Sequence, residues 1–224
     1  YARKKENLEA AEEIMFNVNE EAEGHDYFQL GGLNISPDNK LAAFSVDTVS
    51  RRQYVLRVKN LETGKIYDDK IENTSGGSVW ANDNKTLYYV KKDPVTLRSE
   101  KIYRHVLGTD ASEDVEVYHE KDETFGTYVY KTKSQKYIVI GSYSTLSSEY
   151  LVISADVSEG EFRLIQKRER DLEYSLTHYG DNFYIQTNID GAKNFKLMKT
   201  SVNQTEKEHW VDVIPHREDT LLED

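Results

Sequence analysis

Apolar and polar residues alternate along most of this chain with a period of two, the spacing of half-buried strands, and polar turns break the alternation at regular intervals. The clearest stretch is 80–105, WANDNKTLYYVKKDPVTLRSEKIYRH. Its Asn82-Asp83-Asn84-Lys85 supplies side chains that tolerate tight-turn dihedrals. The runs 86–90 (TLYYV) and 101–106 (KIYRHV) are rich in β-branched and aromatic residues. Asp93-Pro94 between them is a dipeptide that no helix interior accepts. Two neighbouring antiparallel strands of a meander are predicted.

The same layout recurs. A first unit turns at Ser36-Pro37-Asp38-Asn39-Lys40, with strands predicted at 41–46 (LAAFSV), 53–59 (QYVLRVK) and 65–71. The second is the stretch above, closed by 113–119 (EDVEVYH). A third turns at Lys133-Ser134-Gln135-Lys136, with strands at 137–141, 149–153 and 161–165. A fourth turns at Gly180-Asp181-Asn182, with strands at 183–188, 195–200 and 208–213. The equivalent positions Pro37, Asn82, Ser134 and Gly180 lie 45, 52 and 46 residues apart. A repeat of roughly 40–50 residues with four strands each marks β-propeller blades, whereas a sandwich has turns without this longer period. The fold class is therefore all-β, a partial β-propeller of about four four-stranded antiparallel blades. Helical character is confined to 6–16.

On this layout residues 1–30 are the end of a preceding blade and a lead-in strand. Blades follow at 31–75, 76–124, 125–172 and 173–214, and 215–224 starts the next. Each blade buries its faces against two neighbours, so four do not close a ring comfortably. The expectation is a piece of a larger propeller, a view that suits a chain starting at Tyr1 rather than Met. Pairing of two copies through open blade edges is the other way to cover them.

Composition narrows the partners. Forty acidic against 29 basic residues give a net charge of -11, which argues against a nucleic-acid partner and would attract cationic peptides. With 31% charged residues and a mean hydropathy of -0.74, no run approaches the ~18 apolar residues of a membrane span. Cysteine is absent, which rules out disulfides and thiolate chemistry and suits the cytoplasm, with the periplasm left open.

Motifs for chemistry are few. No Gly-x-Ser-x-Gly occurs, nor a Walker loop or dinucleotide fingerprint, so no catalytic residue and no cofactor is assigned. The six histidines show no metal-ligand spacing, and ordinary polar surroundings are expected for all of them. The carboxylates of 120–123 (EKDE) read as solvated loop charge, and Gly31-Gly32 and Gly76-Gly77 as turns or bulges. Two features stand out. Arg51-Arg52 lies on a loop between strands, where guanidinium groups can grip a carboxylate of another domain. His25-Asp26-Tyr27 puts a charge beside an aromatic ring where the chain enters the first full blade.

WAND, YYVKKDPVTL, YRH and Gly108-Thr109 together resemble the propeller of the oligopeptidase B (protease II) group in the prolyl oligopeptidase family of serine peptidases. Gly24 to Phe28 (GHDYF), Ser50 to Tyr54 (SRRQY), Asn60 to Gly64 (NLETG), Glu120 to Thr124 (EKDET), Glu173 to Leu176 (EYSL) and Lys193 to Phe195 (KNF) agree in order. The resemblance implies a seven-bladed propeller and a strand rather than a helix at 12–18. It implies an α/β-hydrolase catalytic domain on the same polypeptide, absent from these residues, that cuts short peptides after Arg or Lys. The propeller would serve as lid and size filter, and this chain alone would be inactive. Asp26 and Arg52 match positions implicated in interdomain contacts, Asp26 being one methylene shorter than the Glu that many relatives carry. A stand-alone propeller that scaffolds a partner protein is the alternative.

Overall fold

A computed structural model describes residues 1–223; Asp224, the last residue of the 215–224 stretch, lies outside the described residues. The chain divides into two units, 1–99 with 103–115 and 100–102 with 116–224, and each is taken by itself. The architecture is all-β, a partial propeller of four-stranded antiparallel blades.

The first unit opens with a short hairpin, β1 (Ala2–Lys4) against β2 (Glu12–Ile14), and a single helical turn, α1 (Val18–Glu21). The helical character of 6–16 is thus overridden: 12–14 is strand, and among the described residues the only α-helix starts at Val18. Strands β3 (Gln29–Ile35), β4 (Leu41–Asp47), β5 (Tyr54–Asn60), β6 (Ile71–Trp80), β7 (Thr86–Lys92), β8 (Ser99–Val106) and β9 (Val115–His119) follow in one sheet, in sequence order, with 100–102 of β8 and 116–119 of β9 counted in the second unit. Tyr54, Leu56 and Val58 alternate inward on β5 and join Leu41, Ala43, Ile71, Trp80, Leu87 and Tyr89 in one core. A smaller cluster forms where Phe16 meets Ala42 and Phe44, with the Lys59 ammonium 4.6 Å above the Phe16 ring.

The turns form as their residues dictate. Asp83 accepts the N–H groups of Lys85 and Thr86 and the Thr86 hydroxyl, while Asn84 takes a positive φ of 59°. Asp38 and Asn39 do the same at the first turn, and Gln135 and Gly180 supply the positive φ at the third and fourth.

One strand departs from expectation. Residues 65–71 do not form the outer strand of the first unit; Ile66 makes a single bridge to Lys59, and Ile71 begins β6. β6 first pairs with β5 (Leu56 opposite Ile71, Tyr54 opposite Thr74), then bulges and pairs with β7 up to Trp80 opposite Leu87. The glycine pairs make this bend, as bulges in β3 and β6. A Cβ on Gly32 would lie 1.6 Å from the Gly76 carbonyl oxygen, so the two backbones meet where only glycine fits.

The second unit holds two further blades. One is β10 (Gly126–Lys131), β11 (Tyr137–Tyr143), β12 (Ser148–Ser154) and β13 (Arg163–Gln166); the other is β14 (Tyr174–Tyr179), β15 (Asn182–Thr187), β16 (Lys196–Ser201) and β17 (Val211–Ile214). They share a core of Val139, Tyr150, Val152, Ile165, Tyr174, Leu176, Phe183, Ile185, Met198 and Trp210. Residues 215–223 form no strand; Leu222 hydrogen-bonds to Asn194 and Gln186 along the last blade. No helix among the described residues is long and apolar enough to cross a membrane.

Candidate functional site

Arg51 and Arg52 stand on the tight connection between β4 and β5, and one buried carboxylate shapes it. Asp47, fully buried at the end of β4, accepts the N–H of Val49 on one oxygen (2.9 Å) and of Arg52 on the other (2.7 Å). Ser50 and Arg52 both adopt positive φ, 61° and 54°, a cost that Asp47 offsets by capping the turn. Lys92 at the end of β7 closes the loop from its other side, its Nζ donating to the Arg52 carbonyl at 2.9 Å. Burial, then the charge of Arg52, hold this ammonium below its usual range.

The result is a clamped backbone with open side chains. Both arginines are exposed, and among the described residues neither guanidinium is engaged in an ion pair.

Asp26 lies at the same end of the first unit. Gln29, at the start of β3, is in register with Asp47 at the end of β4. The Tyr27 hydroxyl donates to Gln29 Oε1 at 2.8 Å, and Tyr54 at the start of β5 donates to the same oxygen at 3.0 Å. The Tyr54 ring fills the space beside Gly31, where a Cβ would come within 2.7 Å of it. Burial, then the Asp47 charge and Tyr27, raise the Tyr54 hydroxyl above its ordinary range, so it stays a neutral donor. Asp26 itself is exposed and pairs with neither arginine. The structure brings the three sequence-predicted residues to one end of the unit without joining them to each other.

Two other constellations went unread in the sequence. His105 is fully buried between two aspartates, with Nδ1 2.6 Å from Asp114 and Nε2 2.9 Å from Asp69. The expectation of ordinary polar surroundings fails for it, and for His178, which is buried with Nδ1 2.8 Å from the Ser134 hydroxyl. In the second unit Arg168 Nη2 lies 2.5 Å from Glu120 and 3.0 Å from Glu149, its guanidinium 4.0 Å from the centre of the Phe125 ring. Glu120 is buried, which corrects its reading as solvated loop charge. Burial alone would raise its carboxyl, but Arg168, the Asp122 N–H and the Tyr118 hydroxyl more than offset that and hold it below the usual range. The signal was present in KIYRHV, whose alternation puts His105 on the same face as Tyr103, which packs against the core; Asp114 lies nine residues on, whereas Asp69, 36 residues back, is too far along the chain to be read.

A third feature is a recess of about 560 Å³ in the second unit, lined by Tyr128, Tyr130, Tyr150, Leu176, Tyr184 and Leu197. Tyr128 and Tyr150 hydroxyls bond to each other, and Tyr130 donates to the Leu176 carbonyl, so the tyrosines present mainly apolar surface to it. Among the described residues no group of three or more His, Asp or Glu is placed to hold a metal ion.

The four-stranded antiparallel blades define the chain as part of a β-propeller. The profile described as "Prolyl oligopeptidase, N-terminal beta-propeller domain" matches residues 1–224, and the chain belongs to that family. It is 42% identical over 214 residues to dipeptidyl aminopeptidase BI of Pseudoxanthomonas mexicana, covering 96% of this chain and 30% of that protein. It is 29% identical to Protease 2 of Moraxella lacunata, covering 96% of this chain and 31% of the relative. Oligopeptidase B from Leishmania major superposes with a TM-score of 0.90 at 31% identity, covering 99% of this chain and 31% of that one. The chain thus spans about three tenths of the length of these relatives.

Proposed function

We propose that this chain is the gating propeller of a serine oligopeptidase that cleaves short peptides after Arg or Lys, its catalytic domain lying on the same polypeptide. The observation that carries the reading is the match of the whole chain, 1–224, to a propeller that accompanies such a domain in its relatives. In this role the propeller covers the active site, admits only short flexible peptides, and completes the site on closing. Arg51 and Arg52 are the groups to grip a carboxylate of the catalytic domain in the closed state, with Asp26 on the same rim. Their backbone is fixed by Asp47 and Lys92 while the guanidinium groups stay open. The net charge of -11 favours cationic peptides at low salt. Residence in the cytoplasm belongs to the same proposal, resting on the absence of cysteine.

A second specificity is favoured by the 42% identity to a dipeptidyl aminopeptidase, a name that implies release of dipeptides from free N-termini. Product mapping separates the two. The gene product carrying this chain would be incubated with a ten-residue peptide holding one internal Arg, in free and N-terminally blocked forms, and the products weighed. Cleavage after Arg in both forms, abolished by an active-serine reagent, is expected. Dipeptides from the free form alone would select the aminopeptidase reading. Cleavage of neither would retire the enzymatic reading in favour of a scaffold.

A further inference from the structure

The His105 cluster has no part in the proposed gating, and its geometry is that of a device. Asp69 sits on the link between the Ile66 bridge and β6, and its Oδ1 receives both His105 Nε2 (2.9 Å) and the Gly108 N–H (2.6 Å). Asp114 closes the connection after β8; its Oδ1 faces His105 Nδ1 at 2.6 Å and its Oδ2 accepts the Tyr89 hydroxyl at 2.8 Å. Both carboxylates are nearly inaccessible and the imidazole is wholly so. The ring is sealed from bulk solvent, and each ring nitrogen faces a carboxylate.

We propose that His105 is a pH-operated latch: as an imidazolium it ties the 66–70 link to β8 and to the 107–114 connection, and on losing a proton it releases the link. A neutral ring carries one N–H and one lone pair, so whichever nitrogen deprotonates turns its lone pair on a carboxylate 2.6 or 2.9 Å away. Asp114 keeps Tyr89 as a donor after that loss. Asp69 keeps only the exposed Gly108 N–H, so the Asp69 side opens first.

The surrounding charges agree in sign. Tyr89 faces the cluster from β7, held neutral by burial and by Asp114. Tyr103 stacks on Tyr89, with the Lys91 ammonium 5.3 Å above Tyr103. Outside Asp69, Lys65, Asp68, Lys70 and Asp110 line an open recess, two cations against two anions that leave the pair of buried aspartates dominant. Burial alone would lower the imidazole, but its hydrogen bonds to Asp114 and Asp69 prevail and raise it. A group raised on folding contributes stability that is complete below its unfolded value, ~6.5, and lost as pH rises through the folded one. The latch is therefore closed below the ordinary imidazole value, ~6.5, and opens as pH rises through the raised folded one.

Hydrogen–deuterium exchange on the gene product carrying this chain tests it, with rates corrected for the intrinsic effect of pH. In the wild type the amides of 66–70 and Gly108 are expected to exchange roughly tenfold faster or more above the transition than below it, the worth of a charge-assisted hydrogen bond. His105→Gln is expected to give fast exchange there at every pH, with no transition. Asp69→Asn, which keeps the ring but removes one carboxylate, is expected to move the transition to lower pH and serves if His105→Gln does not fold. Corrected exchange that stays flat with pH in the wild type, or a transition that survives unshifted in Asp69→Asn, would overturn the latch.

Discussion

Two arginine sites, one in each unit, treat the same side chain in opposite ways. Arg168 in the second unit is spent internally: two carboxylates, a tyrosine hydroxyl and an aromatic face occupy its guanidinium. Arg51 and Arg52 in the first unit have their backbone fixed by Asp47 and Lys92, while their guanidinium groups meet solvent. Burying a charge with full pairing makes its loss expensive for the fold. Exposing one on a rigid loop makes its loss nearly free for the fold and leaves its energy for a partner. The difference separates residues that build the propeller from residues the propeller presents.

The largest effect is expected at the spent site. Arg168→Ala strands two carboxylates, one of them buried, and is expected to lower unfolding stability by about 3 kcal/mol in denaturant titration. A loss below ~0.5 kcal/mol, the level of ordinary surface changes, would erase the contrast. Asp47→Ala comes next, at about 2 kcal/mol, because it leaves the Val49 and Arg52 N–H groups unpaired beside two positive-φ residues. The same change should blunt activity in the gene product by releasing the loop, which Arg168→Ala should not do at temperatures where it stays folded.

A pH profile sharpens the comparison further. The Glu120 carboxyl is held below its ordinary range, so its contribution is present above the unfolded value, ~4.3, and is lost as pH falls through the folded one. Glu120→Gln is expected to flatten the acid limb of the stability curve, read from melting temperatures between pH 3 and 6. No such flattening is expected from Arg51→Ala, whose effect on stability should stay within ~0.5 kcal/mol.

What could be read from the sequence divides along the same line. Turn chemistry is local, so Asp38-Asn39 and Asp83-Asn84 announced their loops, and the blade repeat followed from them. The exposed loop position of Arg51 and Arg52 was legible because two adjacent charges between two strand runs have no place in a core. The buried knots were not. Asp69 finds His105 across 36 residues and Glu120 finds Arg168 across 48, separations at which no periodicity carries a signal. The misplaced outer strand at 65–71 has the same origin: Asp69 is drawn to His105 and Gly108, and the pairing with β5 starts only at Ile71.

The most direct measurement is steady-state kinetics of the Arg51→Ala/Arg52→Ala double variant in the gene product carrying this chain, on a short Arg-containing peptide, beside its melting temperature. The account predicts kcat/KM lowered about tenfold or more, the worth of a charge-assisted contact, with the melting temperature unchanged. Wild-type kcat/KM at an unchanged melting temperature would contradict it and leave the arginine loop as solvated charge.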